Sequence, residues 1–356
     1  MTQKKGRAAV PDGAEDPEYP EGGGIRRGTP PRRGLIAGTL ELFRTGWRSL
    51  FGFSSGVALF TALAGAALVT VAFALTWHDF ALTWKLARSD IAYEDPPLGY
   101  YPGQYTSIFL RSLPFMGLLL LVALFVLALL YVAYAVAVRD TEAGGHRPGS
   151  GELWRRSRPH IGLAIRVQLL TIVCLAPLAL LAYLVAAFFR DGGMMGIDIE
   201  PLDYWSSTRY RLSANGLTSL VIVIGAFVWL RLSLATAAAV NGASTARAAV
   251  RRSWSLTGHP RRWRALRVTA PVMGVAVAAY IALAHAAEPL AHPVGLTVLW
   301  LTDDNAYATG AVMEIVPTAV SLLVLTALVV PPVSAALARL HAELQTAEAT
   351  EPPRGR

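Results

Sequence analysis

The chain has 356 residues, of which 54% are hydrophobic and only 16% charged, with a formal net charge of +8. Soluble domains hold about 25% charged residues, so this composition, with a mean hydropathy of +0.43, excludes an ordinary soluble protein and points to a membrane. The single cysteine, Cys174, excludes a disulfide framework.

Residues 1–34 are polar and rich in Gly, Pro and charge, and are expected to form a disordered cytoplasmic N-terminus for want of apolar surface to bury. They carry no cleavable signal pattern, so the first span is expected to serve as an uncleaved anchor. Residues 35–340 are expected to form one six-span membrane domain, and 341–356 a cytoplasmic tail. The fold class expected is an all-α membrane protein, its six helices arranged as three repeated hairpins with basic interfacial helices, N-in and C-in.

The first such helix covers 41–53. Leu42, Phe43, Trp47, Leu50 and Phe51 recur at helical spacing, with Arg44 and Arg48 on the other side. A helix of this pattern lies in the headgroup plane with tryptophan at the boundary; docking of a cytoplasmic partner on it is the alternative, compatible with that placement. The first span, 56–77, carries Ala58, Ala62 and Ala66 at four-residue intervals, a small-residue face expected inside the bundle or at a dimer seam. The second span, 113–138, is nearly all large aliphatic over 118–130, which is expected to face lipid. A second basic stretch, 151–167 around Trp154, leads into the third span, 161–189. The fourth span, 217–240, contains Arg231. A third basic stretch, 247–268, holds Arg251, Arg252, Trp254 and Trp263, and leads into the fifth span, 269–287, whose 274–279 segment is again small. The apolar stretch 294–301 with Trp300 is expected to be re-entrant or interfacial. The sixth span, 311–337, contains Glu314, Pro317, Pro331 and Pro332, and its prolines are expected to break or kink it.

Positive charge sets orientation. The segments at 1–55, 139–160, 243–268 and after 337 hold 24 of the 32 Lys and Arg residues, while the alternating loops hold six, together with eleven Asp and Glu. Both termini are therefore expected in the cytoplasm of a bacterial cell, with the plasma membrane as the location. The net charge reflects topology rather than nucleic-acid affinity, and basic stripes at the inner face attract anionic lipid headgroups. Trp154 and Trp254 stand 100 positions apart, and Pro97-Leu98-Gly99-Tyr100-Tyr101 is echoed by Pro201-Leu202-Asp203-Tyr204-Trp205. These echoes suggest duplication of a two-helix unit.

Arg231 is the residue of sharpest interest. On a straight helix it lies on the order of 15 Å from the inner end, where an arginine costs about 2.5–3.5 kcal/mol to insert and is either functional or a packing group bonded to carbonyls near a helix break. Glu314, near the outer face, reads either as a solvated boundary carboxylate or as a substrate or proton site. The other motifs carry little chemistry. No His-Glu-x-x-His, Cys-x-x-Cys, Gly-x-Ser-x-Gly or phosphate-binding loop occurs. No catalytic residue, cofactor or metal is therefore expected.

The segment Ala248-Ala249-Val250-Arg251-Arg252-Ser253-Trp254-Ser255-Leu256-Thr257-Gly258, continuing to Arg262-Trp263-Arg264-Ala265-Leu266, resembles a recurrent pattern of the glycerophosphoryl diester phosphodiesterase membrane-domain family. The resemblance covers the membrane part only, about residues 35–340, and implies a multi-span module without hydrolase activity. The first two stretches read Gly46-Trp47-Arg48-Ser49 and Leu153-Trp154-Arg155-Arg156-Ser157 and do not reproduce the pattern. The function expected is a non-enzymatic module that assists transport or organises a membrane complex, with Trp47, Trp154, Trp254, Trp263, Arg251 and Arg252 at the membrane interface or docking a cytoplasmic partner, and a homo-oligomer as a separate option. The alternative is the permease half of an ATP-driven exporter with a separate ATPase.

Overall fold

The computed structural model describes residues 35–92, 102–143, 149–190, 192–194, 197–198, 202, 206–258 and 262–350. The readings made on residues 1–34, on 97–101, and on 201 and 203–205 lie outside them. The described chain is helical apart from a two-residue ladder between β1 (Gly193–Met194) and β2 (Ile197–Asp198). Six helices are long and apolar enough to cross a membrane.

Several helices far exceed the apolar segments that nucleate them. A hydrocarbon core needs about 20 residues, yet α1 (Leu35–Ala92) has 58, α2 (Pro102–Glu142) and α3 (Ser150–Arg190) 41 each, and α7 (Arg262–Leu301) 40. The fourth span is α4 (Thr208–Leu232), which breaks and resumes as α5 (Ala235–Val240). An Asn241-Gly242 turn follows, with Gly242 at φ +103°, a conformation glycine adopts freely. The chain then enters α6 (Ala246–Leu256), capped by the Thr245 hydroxyl. The sixth span is α8 (Ala306–Val324), a π-turn at Leu325–Val329, and α9 (Val330–Thr350). Consecutive helices pack α1 on α2, α2 on α3, α3 on α4 and α7 on α8, while α9 lies against α1 and α2.

The packed core sits at one end, where the basic stretches meet. Leu42, Leu50 and Phe53 of α1, 128–130 and 132–138 of α2, Leu153 and Ile161 of α3, and Ala335 and Ala338 of α9 form the main cluster. Leu234, Leu256, Leu337, Leu340 and Leu344 form a second, and Ala235, Ala238, Ala239 and Ala249 a third. Toward the opposite, far end, α1, α2, α3 and α4 turn large apolar side chains outward, among them Leu63, Leu121, Leu181 and Val223. Exposed apolar area on this scale needs a non-aqueous surround, and a bilayer supplies it.

Three expectations change against this frame. Leu118 and Leu121 face outward as expected, but Leu124, Val126 and 128–138 are the most buried run in the molecule. That half of α2 is therefore core rather than lipid surface. The stretch 294–301 is not re-entrant. It continues α7 straight on, packed through Gly295 against Met313 of α8, where an added Cβ would fall 2.6 Å from the thioether, and it leaves Trp300 80% exposed. The small faces are only partly interior: Ala58 is buried, Ala66 and most of 274–279 are not.

The prolines of the sixth span produce a π-turn rather than a break. Pro331 has no N–H for the carbonyl four residues earlier, Ala327, and Pro332 has none for it in the π register. Within the helix, the π-register bond runs from the Val330 N–H to the Leu325 carbonyl. The Ala327 carbonyl takes its donor from another helix instead: the Ser54 hydroxyl, fully buried on α1, stands 3.0 Å away. In lipid such a carbonyl has no water to turn to. Ser54→Ala is expected to lower stability by about 1–3 kcal/mol, the cost of a buried unsatisfied group, and Ser54→Thr to retain most of it. A chemical denaturation series in detergent reads both.

Candidate functional site

The basic stretches build one tied platform. Each begins or precedes a span, so the antiparallel packing of consecutive helices brings them to the same end. The first stretch is not a separate surface helix. It bends at Gly46 (φ −120°, ψ 15°) and runs on into the span, with Leu42 and Leu50 against protein and Trp47 left 56% exposed. The second forms the start of α3, burying Leu153 and Ser157 and leaving Trp154 42% exposed. The third is α6 and the start of α7, with Trp254 and Trp263 exposed.

Ion pairs and side-chain bonds stitch these pieces. Arg156 of α3 reaches both Asp140 of α2, at 2.7 Å, and Glu152 one turn back. Arg139 donates to the Val240 carbonyl at the end of α5 (3.3 Å). Arg252 of α6 lies 3.6 Å from Glu348 of α9. Asn241 Nδ2 and His341 Nδ1 are 3.2 Å apart, and His341 is fully buried. The expected tail therefore starts inside the packed bundle, since α9 carries His341 and Leu344 into its core. Exposed pairs are individually worth at most about 1 kcal/mol. Their effect here is to fix register among α2, α3, α6 and α9 on top of the apolar contacts.

Arg231 belongs to this platform rather than to a deep cavity. The helix break after Leu232 shortens the straight-helix depth, and α6 folds back along α5 until its last turn meets the arginine. Its guanidinium lies 4.2 Å from the Trp254 ring centroid and 5.7 Å from that of Phe227, within cation–π range. Nη2 donates to the Thr257 carbonyl at 3.3 Å, and the Ser253 hydroxyl donates to the Arg231 carbonyl at 2.6 Å. The neighbouring void, lined by Phe227, Leu230, Thr257, Ala265, Leu266 and Thr269, measures about 10 Å³. That is room for one water at most. Of the two readings, the geometry matches an arginine bonded to a carbonyl near a helix break. Arg251 projects from the exposed face of α6, and Arg252 is half-exposed in its pair with Glu348.

Glu314 lies elsewhere. It is exposed on α8, eight residues past that helix's start, with no ion-pair partner among the described residues. The structure does not bring it to Arg231. A different cluster at the far end escaped the sequence: buried Asp79 pairs with Arg111 (3.1 Å) and accepts from Ser107 (3.2 Å). Beside it, Asn305 caps α8 by accepting from Ala308 N–H (3.0 Å) and donates to the Phe80 carbonyl of α1 (3.2 Å). It follows Asp303 and Asp304, both at positive φ, a turn that costs on the order of 1–2 kcal/mol per residue. Asn305→Ala removes the cap and the interhelical bond together, and is expected to cost about 2 kcal/mol. Asn305→Asp keeps the cap only. Thermal unfolding of the two variants separates the contributions.

Among the described residues, no group of three His, Cys, Asp or Glu side chains is placed to hold a metal ion. His285 meets Glu288 at 2.9 Å on α7. Comparison with family models, with curated proteins and with solved structures finds no match to this chain.

Proposed function

We propose that the chain is a non-catalytic module of the bacterial plasma membrane, with both termini cytoplasmic, whose basic end docks a cytoplasmic protein in the service of transport or complex assembly. One observation carries this reading: three separate basic stretches converge on a single platform whose register is fixed by side chains from four helices, while Trp47, Trp154, Trp254 and Trp263 remain exposed on it. Tryptophan and arginine are the residues that dominate protein docking energies. The resemblance of 248–266 to a membrane domain that also occurs without its hydrolase supports the non-enzymatic part of the proposal.

One feature favours the exporter permease as a second reading. The α5–α6 hairpin is a short helical elbow between the fourth and fifth spans that leaves Arg251 and Trp254 of α6 exposed, as a segment coupling to an ATPase would. Affinity purification of the full chain from its native membrane in mild detergent tests both readings. A stoichiometric protein that is lost with Arg251→Glu supports docking, and an ATPase in that position selects the exporter. Reproducible purification of the chain alone, from several detergents, overturns both.

A further inference from the structure

A groove of about 570 Å³ runs along the basic half of the bundle between α1, α2 and the start of α3, within the range of about 300–1,000 Å³ typical of small-molecule sites. Its floor is apolar: Phe53, Val57, Phe125, Val126 and Leu129. It is hollow because Gly52 and Gly56, one turn apart on the same face of α1, present no side chain, and a Cβ at either would meet nothing within 4 Å. From Gly52 to Phe60 the hollow extends about 12 Å along the helix axis. Its α3 side is lined by Ser150, Gly151 and Trp154, whose hydroxyl and indole N–H are the polar side-chain groups in an otherwise apolar lining. Polar groups confined to the α3 side of an apolar hollow suit an amphiphile rather than a hydrophobic peptide.

Charge beside the groove narrows the choice. Arg48 lies one turn before Gly52 on the same face, and Arg155 and Arg158 flank Trp154 within a turn of it. All three are exposed. None has an ion-pair partner among the described residues, whereas their neighbour Arg156 is held by both Asp140 and Glu152. Carboxylates are thus within reach of this turn of α3 and are spent on Arg156 alone, leaving Arg155 and Arg158 without a counter-charge beside the groove, together with Arg48, whose guanidinium lies 5.6 Å from the Trp47 ring centroid. Basic side chains near a bilayer surface attract anionic lipid.

We propose that this groove is a specific site for one anionic phospholipid. One acyl chain lies along Gly52, Gly56 and Phe60, and the headgroup phosphate is held by Arg48, Arg155 and Arg158. This differs from general attraction of basic stripes to the membrane surface because it predicts one saturable lipid per chain and depends on the shape of α1. It is independent of whether a cytoplasmic protein docks on the platform.

Native mass spectrometry of the full chain in neutral detergent, titrated with phosphatidylglycerol or phosphatidylcholine, tests it. One phosphatidylglycerol is expected to bind per chain with about a tenfold preference over phosphatidylcholine, and each of Arg48→Gln and Arg155→Gln is expected to weaken it by roughly fivefold, the fold-change matching the attraction of one basic residue for an anionic surface. Gly56→Leu fills the groove and is expected to abolish binding of both lipids. Gly162→Leu adds the same bulk where α3 also has open space and is expected to leave binding intact. Equal retention of the two lipids, or undiminished binding to Gly56→Leu, overturns the proposal. Should Gly56→Leu fail to fold, unchanged phosphatidylglycerol preference in the Arg48→Gln, Arg155→Gln double variant overturns it instead.

Discussion

Tyr134→Ala is expected to be the most damaging single substitution in the bundle, lowering stability by about 3–5 kcal/mol, the range for truncating a buried aromatic. Tyr134 is among the largest fully buried side chains, near the centre of the run 128–138. Its ring stacks against Phe43 at a centroid distance of 6.0 Å and 26° between planes, and its hydroxyl donates to the Leu50 carbonyl at 2.9 Å. Within a bilayer, removal from water adds little to helix association. The loss comes instead from dispersion contacts that a void cannot replace and from one hydrogen bond. Tyr134→Phe keeps the ring and gives up the bond, so it is expected to cost only about 1 kcal/mol. Denaturant titration of both variants, followed by loss of helix signal, should show a gap of at least about 2 kcal/mol. Equal effects would mean that the hydroxyl, not the ring, holds α2 to the Leu42–Leu50 segment.

What the sequence made legible follows from what lipid does and does not reveal. Spans appear in hydropathy because each must cross the hydrocarbon, and all six are present. The meeting of basic stretches at one end follows from alternation of charge between loops. Burial within the membrane was not legible, because a core helix and a lipid-facing helix are equally apolar. Leu118–Leu121 and Leu124–Leu130 read alike, yet one group faces outward and the other inward. The end of α7 was illegible for a related reason. The apolar stretch 294–301 read as a separate re-entrant or interfacial piece, but α7 runs into it through Pro289 and Pro293, as membrane helices tolerate proline when neighbours satisfy the freed groups. The partner of such a freed group is the hardest feature to foresee. Pro331 announces an orphan carbonyl at Ala327, but nothing local names Ser54, 273 positions away. Likewise Asp79, with no motif around it, becomes visible only when Arg111 and Ser107 are folded beside it.

Arg231→Leu is the second large effect, and its expected signature is local. Leucine is easier to insert than arginine, so assembly in the membrane should be intact. What is lost is the cation–π contact with Trp254 and the charge-assisted bond to the Thr257 carbonyl, together roughly 2–4 kcal/mol for a partly desolvated pair. Both contacts fall on the last turn of α6 and the residue after it, whereas the first turn is held by the Thr245 cap and by Ala249 packed among Ala235, Ala238 and Ala239. Amide hydrogen exchange should therefore rise at 253–257 and change little at 246–250. Arg231→Lys is expected to recover only part of the protection, because a point charge cannot lie over the indole and reach the carbonyl together. In a cycle with Trp254→Ala, the coupling should be about 0.5–2 kcal/mol. Uniform exchange along α6 in Arg231→Leu, or no coupling to Trp254, would remove Arg231 from its place as the tie between the fourth span and the platform. If the tie holds, any partner gripping the exposed face of α6 pulls directly on the break between α4 and α5, since the Ser253 hydroxyl is bonded to the Arg231 carbonyl itself.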